Sequence, residues 1–158
     1  MARKLGIIGG LIAFILAVFS EIPIYPPERW VIDFKIFTLN DTEIYFWGYL
    51  INENISFSSI ILQFPENILA LTIWITIILI GLILIMASTK KANPANSKLL
   101  FKINNLLLIY LLTTFGVIIL IQLLYDFTRI FSVIGLGFYL TLILLILNLF
   151  TLNSLKKD

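Results

Sequence analysis

The chain has 158 residues, of which 60% are hydrophobic and 13% are charged, and its formal net charge is +2. Soluble domains carry about 25% charged residues, so the composition excludes an ordinary soluble domain. The small net charge gives no reason to expect nucleic-acid binding. Cysteine and histidine are absent. Their absence excludes disulfides, thiol or imidazole catalysis and nearly every zinc or copper site, so we expect no metal and no cofactor.

Four apolar segments are each expected to form a membrane-spanning helix. They cover residues 5–20, 68–87, 103–124 and 131–150, and none contains Asp, Glu, Lys or Arg. Uncharged apolar runs of this kind favour helices, because an open sheet edge in hydrocarbon leaves backbone groups unpaired. The sequence therefore predicts an all-α membrane protein, a single-domain antiparallel four-helix transmembrane bundle.

The first of these segments leaves an alternative open. It is short, follows two basic residues, and carries small residues at Val18 and Ser20 that fit a signal-peptidase site. It is therefore either retained as a span or removed as a signal peptide. Three glycines favour retention, since small residues allow close helix packing: Gly6, Gly9 and Gly10.

The charges predict the orientation of the chain in the membrane. Eight of the 11 basic residues lie at the two termini or between the second and third segments. Eight of the nine acidic residues lie in the other two connections. An excess of Lys and Arg marks the cytoplasmic side. Both termini and a short polar loop at 88–98, with Asn93-Pro94 as its turn, are therefore expected in the cytoplasm of a multi-pass plasma-membrane protein.

The first exported connection, residues 21–66, is long enough to form a domain of its own. Residues 30–39 alternate between apolar side chains and the polar Asp33 and Lys35, which is the period of a β-strand. Residues 42–51 are aromatic and β-branched, and residues 55–62 follow a further turn. The sequence predicts a small extracellular antiparallel sheet of three or four strands.

The aromatic residues of this loop include Trp30, Trp47 and Tyr49. One interpretation is that they form the core of the sheet and an interfacial belt against the lipid headgroups. The other is that part of this surface contacts another protein. Asn40 and Asn54 each begin an Asn-x-Ser/Thr triplet at a predicted turn and are candidates for glycosylation.

The polar residues inside the spans are all uncharged. Thr72, Thr76 and Asn104 are expected to form hydrogen bonds between helices, although a polar pathway for an ion or solute is the alternative. Gly135 and Gly137 are expected to mark close contact between helices. No paired carboxylates, nucleophile motif or phosphate-binding loop is found in the sequence. We therefore expect no catalytic residues and no enzymatic activity.

Three stretches resemble the claudin-type tetraspan superfamily, which includes epithelial membrane proteins and peripheral myelin proteins. Pro27-Glu28-Arg29-Trp30 is similar to the Pro-x-Trp start of its first strand, and Trp47-Gly48-Tyr49-Leu50 stands where the family carries Gly-Leu-Trp. Residues 58–69 are similar to its approach to the second span. The two loop cysteines of the family and a basic residue near the second span are missing here. The resemblance implies a four-span fold with an exported sheet and assembly into lateral strands.

Three functions from different classes follow as hypotheses. The first is a non-catalytic scaffold or adhesion protein, which associates with itself or other membrane proteins through Trp30, Trp47 and Tyr49. The second is an accessory subunit of a larger membrane enzyme, transporter or channel. The third is a channel formed by oligomers of the chain itself. The lipid bilayer is the expected partner in each case, and the sequence identifies no small-molecule substrate.

Overall fold

The computed structural model describes residues 2–19, 21–24, 30–39, 42–51, 54–57, 66–89, 93–125 and 134–157. Within them the chain forms four α-helices and six β-strands. The helices are α1 (Ala2–Val18), α2 (Glu66–Ser88), α3 (Pro94–Tyr125) and α4 (Leu136–Lys157). The strands are β1 (Glu21–Ile24), β2 (Trp30–Asp33), β3 (Phe37–Leu39), β4 (Thr42–Ile44), β5 (Gly48–Ile51) and β6 (Asn54–Phe57).

The helices pack as an antiparallel bundle in which α1 and α3 each contact both α2 and α4. Buried residues recur along α3 at alternating spacings of four and three, which is the pattern of knobs-into-holes packing between nearly parallel helix axes. These positions are Ser97, Phe101, Asn104, Leu108, Leu111 and Phe115. The core therefore runs along the length of the bundle, as the predicted all-helical bundle requires.

Three helices contain stretches long and apolar enough to cross a membrane, namely Ile68–Ser88, Pro94–Ile121 and Leu136–Leu155. The apolar part of α1, Lys4–Val18, is shorter. Large apolar side chains are exposed along the outer faces, for example Leu106 at 67%. Water would hydrate such a surface unfavourably, so these faces indicate contact with membrane lipid.

The glycines of α1 lie against neighbouring helices, which confirms the predicted packing surface. A Cβ atom on Gly6 would collide with the Ser88 hydroxyl, and one on Gly9 would lie 3.2 Å from Leu84. A Cβ on Gly10 would lie 3.0 Å from the carbonyl oxygen of Gly81 in α2. The small residues of α1 therefore allow its backbone to approach α2 closely.

The six strands form two sheets. β1 and β2 make an antiparallel ribbon in which Ile24 lies opposite Trp30, and β3 to β6 make an antiparallel meander in sequence order. The meander agrees with the predicted antiparallel sheet of three or four strands, but the predicted strand at 42–51 is divided into β4 and β5, which pair with each other. Residues 58–62 of the predicted third strand lie outside the described residues. The β1–β2 ribbon was not predicted. β1 contains Pro23, which lacks an amide donor and is tolerated because the ribbon has no third strand among the described residues.

The predicted strand 30–39 is interrupted. The chain leaves β2 at Asp33 and enters β3 at Phe37, and the Asp33 carboxylate accepts a hydrogen bond of 2.9 Å from the Lys35 amide. Such a side-chain bond to the backbone two residues on turns the chain. The burial of Phe34 and Ile36 and the partial exposure of Lys35 still follow the predicted alternation. The predicted period of two was therefore correct, but the prediction of one continuous strand over 30–39 was wrong.

The predicted polar turn at Asn93-Pro94 is instead the start of α3. The Asn93 side chain accepts a hydrogen bond of 3.1 Å from the Ala95 amide, and its carbonyl accepts one of 2.9 Å from Ser97. Asparagine is a favoured N-cap, and proline suits the first helical position. α3 therefore begins nine residues before the predicted start at 103, and α4 begins at Leu136 rather than at 131.

One predicted polar contact between helices is confirmed. The Asn104 amide donates to the Asn148 side chain at 3.1 Å, and the Asn148 amide donates to the carbonyl of Phe101 at 3.0 Å. For Thr72 and Thr76 the prediction is wrong, because each hydroxyl bonds a carbonyl of its own helix at 2.6 Å. A threonine hydroxyl reaches the carbonyl one turn earlier without help from a neighbouring helix.

Candidate functional site

The meander is attached to the end of the bundle where α3 and α4 meet, which we call the sheet end. The Gly135 amide donates to the carbonyl of Ile36 at 2.9 Å, and the Gly137 amide donates to the carbonyl of Lys35 at 2.8 Å. Phe37 and Ile134 also form an antiparallel bridge. The first amides of a helix lack partners within the helix. The segment between β2 and β3 therefore caps α4 with its backbone.

Gly135 and Gly137 are needed for this approach. A Cβ atom on Gly135 would collide with the carbonyl oxygen of Lys35, and one on Gly137 would collide with that of Phe34. The prediction that these glycines mark a helix–helix contact is therefore wrong. They are the places where the loop between β2 and β3 meets the backbone of α4, a contact that the spacing of glycines alone does not distinguish from helix packing.

Aromatic side chains fill the space beneath the meander. Phe115 of α3 is fully buried and makes edge-to-face contacts with Phe37 and Phe46, with ring centroids 5.9 and 5.8 Å apart. Phe138 of α4 lies 6.4 Å from the same ring. Edge-to-face geometry is favourable for aromatic pairs. Phe115 therefore joins the start of β3 and the turn between β4 and β5 to the helices α3 and α4.

A partly exposed polar cluster also holds the loop between β2 and β3. The Lys35 ammonium lies 3.3 Å from the Asp33 carboxylate and 3.1 Å from that of Glu43 in β4. The Tyr45 hydroxyl donates to the other oxygen of Glu43 at 3.2 Å. About a third of each charged side chain is exposed, so solvent weakens these ion pairs. The cluster restricts the loop more than it stabilises the fold.

The environment of this cluster favours the protonated forms of Lys35 and Tyr45. Burial acts to lower the pKa of Lys35, but its hydrogen bond to Glu43 and the charges of Asp33 and Glu43 outweigh that effect and raise it. Burial is the main cause that raises the pKa of Tyr45, and the nearby carboxylates add to it. Lys35 is therefore a cation and Tyr45 is neutral at neutral pH.

Of the three residues predicted to contact a partner, two have side chains that the structure describes, and neither is fully exposed. Trp47 is 7% exposed and stacks on Tyr45, with ring centroids 5.4 Å apart. Tyr49 is half-buried in β5, whereas Trp30 belongs to the separate β1–β2 ribbon and its side chain lies outside the described residues. A role for them in protein contact stays a prediction.

The two candidate glycosylation sites also stay predictions. Asn40 lies outside the described residues, and Asn54 is the first residue of β6, opposite Ile51 in β5. Sequence reasoning missed Phe115, Phe138 and the Lys35–Glu43 pair. Phenylalanines inside apolar runs give no local signal of which neighbour they contact, and the Lys35–Glu43 pair depends on the hairpin register.

Among the described residues no group of three or more Asp, Glu, His or Cys side chains is arranged to hold a metal ion. Comparisons with protein-family models, with curated proteins and with solved structures found no match. The site is thus defined by its geometry alone. It is a small β-sheet held at a fixed position on one end of an apolar helical bundle.

Proposed function

We propose that the chain is a non-catalytic membrane protein that organises the membrane or mediates adhesion through its exported sheet, with itself as the principal partner. One observation carries the proposal. The meander is held by backbone hydrogen bonds to α4 and by the rings around Phe115, so its surface has a defined position relative to the helices. An assembly surface benefits from that fixed geometry, because ordering a flexibly tethered sheet during association costs binding free energy.

In this proposal the chain crosses the plasma membrane four times, with α1 as the first span and both termini in the cytoplasm. The burial of Ala13 and Leu16 supports the retention of α1, as does the 3.0 Å hydrogen bond from the Trp74 indole to the carbonyl of Ala17. Removing α1 would uncover these contacts on α2. The basic residues at the end opposite the sheet support the orientation, including the described Lys98 and Lys102.

The likeness to claudin-type proteins forms part of the proposal. An antiparallel arrangement of four apolar helices, with strands in the first connection, is compatible with that fold. The absence of cysteine from the chain means that no disulfide joins the strands. The docking of Lys35 and Ile36 on α4 gives another means of holding the sheet in place, which supports a disulfide-free version of such an architecture.

Self-association in lipid tests the proposal. Two populations of the full chain, labelled with donor and acceptor fluorophores at the C-terminus, are mixed in liposomes at increasing density. We expect energy transfer above that of random mixing, and we expect Tyr49→Ala to reduce it severalfold because the half-buried ring lies on the meander. Asn153→Ala, exposed on α4 away from the sheet, is the matched control and should leave energy transfer unchanged.

Energy transfer at the level of random mixing for the unmodified chain would overturn self-assembly. A loss that is equal for both variants would remove the role of the sheet. If a stoichiometric partner with catalytic or ion-conducting residues is instead recovered from native membranes, the chain is an accessory subunit, which is the alternative function.

A further inference from the structure

Two contacts fix the height of α3 relative to α4 in the bundle. The Asn104 side chain donates to Asn148 at 3.1 Å, and the Phe115 ring lies 6.4 Å from that of Phe138. The second contact lies eleven residues further along α3 and ten residues back along α4. Because both helices rise equally per residue, each position on α3 is level with a known position on α4.

α3 extends past the start of α4 at the sheet end. Leu136, the first residue of α4, lies two residues before Phe138 and is therefore level with Val117, two residues after Phe115. From Val117, α3 continues for eight residues to Tyr125, or roughly 12 Å. The meander lies beside this projecting part of α3, on the shorter helix α4.

α2 extends past the end of α1 in the same way. The Trp74 indole donates to the carbonyl of Ala17, next to the last residue of α1. α2 begins eight residues before Trp74, at Glu66, and Ile68 in this part is 54% exposed. At the sheet end, α2 and α3 are therefore longer than α1 and α4.

The projecting part of α3 exposes apolar side chains, with Leu120 at 58% and Leu124 at 80%. They continue the exposed apolar surface of the candidate span, which has no charged residue beyond Lys102. From Ile103 to Leu124 this surface is about 32 Å long, close to the thickness of hydrocarbon in a bilayer. Hydrocarbon that matches α3 therefore reaches Leu124.

The exposed apolar surface of α4 is shorter. It runs from Leu136 to Phe150, or about 21 Å. Phe150 lies two residues after Asn148 and is level with Lys102, two residues before Asn104. The two surfaces thus start at one level and differ by about 10 Å at the sheet end. Tilting the bundle does not match both to a flat bilayer, because it would separate the ends that are level.

Charged side chains lie where the apolar surface of α4 ends. A Cβ atom on Gly135 would collide with the Lys35 side chain, whose ammonium contacts Asp33 and Glu43. These three side chains are 28 to 38% exposed. Hydrocarbon disfavours exposed charges and open strand edges. At the level of Val117, one side of the bundle therefore suits lipid tails and the other suits headgroups and water.

We propose that the leaflet at the sheet end is thinner beside α4 than beside α3, so that phospholipid headgroups descend to the polar cluster. Local thinning is a known response of a bilayer to a short apolar helix, and it leaves the surface of α3 in lipid. The thinned leaflet requires that the bundle spans a membrane. It requires neither self-association of the chain nor a particular orientation.

Single cysteines test the proposal, since the chain has no other cysteine. V117C and L136C report on one level of the two helices, where the native side chains are 51% and 41% exposed. I109C and I143C form the matched control pair, level with each other nearer the middle of the bundle and 45% and 44% exposed in the native chain. The full chain carries a spin label at each site in dioleoyl phosphatidylcholine liposomes.

Collisions with oxygen, which concentrates in hydrocarbon, and with a water-soluble nickel complex give the depth of each label. We expect the nickel complex to reach the L136C label severalfold more often than the V117C label. The I109C and I143C labels should both lie in hydrocarbon. The same variants without the label give a second measurement, because a thiol needs water to ionise and react. A charged maleimide present on both sides should modify L136C severalfold faster than V117C.

Equal nickel access at V117C and L136C, with both in lipid or both in water, would overturn the thinned leaflet. A V117C label that neither reagent reaches would show that protein covers this part of α3, and it would overturn the proposal as well. So would nickel access at I143C as high as at L136C. Energy transfer between chains is measured separately, so self-assembly and the thinned leaflet fail independently.

Discussion

Replacing Phe115 by alanine is expected to destabilise the protein by about 3 to 5 kcal/mol, the usual cost of removing a fully buried phenylalanine. The ring is fully buried and contacts Phe37, Phe46 and Phe138. Its loss opens a cavity where the meander rests on α3 and α4. The sheet should therefore loosen before the helices separate, since the helix contacts around Leu108 lie further along the bundle.

Unfolding of the purified protein in mixed micelles, followed by tryptophan fluorescence, measures this effect. Trp47 reports on the sheet and Trp74 on the contact between α1 and α2, so single-tryptophan forms separate the two events. Phe150→Ala is the matched control, because Phe150 is 65% exposed on α4 and should change stability little. Equal losses for both variants would contradict the docking of the sheet on Phe115.

Gly137→Ala should detach the segment between β2 and β3 from α4. The added methyl group would collide with the carbonyl oxygen of Phe34 and lie 3.0 Å from that of Lys35. Backbone atoms cannot turn aside as a flexible side chain can, so we expect a loss of about 1 to 3 kcal/mol, typical of overpacking. The hydrogen bond from the Gly137 amide to the Lys35 carbonyl should also weaken.

Hydrogen exchange at the amides of Gly135 and residue 137 measures the detachment directly. We expect faster exchange there in Gly137→Ala, with little change in α2. Gly116→Ala is the matched control, since its new methyl group meets nothing within 4 Å and alanine is the better helix former. Unchanged protection at Gly135 in Gly137→Ala would refute the capping of α4 by the loop.

The helices were predictable because uncharged runs of Leu and Ile have one stable arrangement in a membrane. The ends of the helices were less predictable. Asn93 looked like a turn residue beside Pro94, yet the same pair is a favourable helix start, and only the observed bond to the Ala95 amide distinguishes the two. The start of α4 was displaced because Gly135 supplies no capping side chain, and the cap comes from Lys35, distant in sequence.

In the sheet, the local sequence pattern predicted some features, whereas others depend on contacts between residues distant in sequence. The alternation through Phe34, Lys35 and Ile36 correctly predicted which side chains are buried. It did not predict that the backbone of these residues pairs with the start of α4, because a period of two describes faces and not partners. The sequence likewise left two interpretations for Trp47, the core of the sheet or a contact surface. Its stacking with Tyr45, which a local pattern does not reveal, decides between them.

The proposed function depends most on where the meander and the basic end of the bundle lie relative to the membrane. Single cysteines at Thr38 in β3 and at Asn96 near the start of α3 can be tested in intact cells with a membrane-impermeant thiol reagent, since the chain has no other cysteine. We predict that T38C is labelled in intact cells and that N96C is labelled only after the membrane is permeabilised. Labelling of N96C alone in intact cells would contradict an exported sheet and with it the proposed assembly surface.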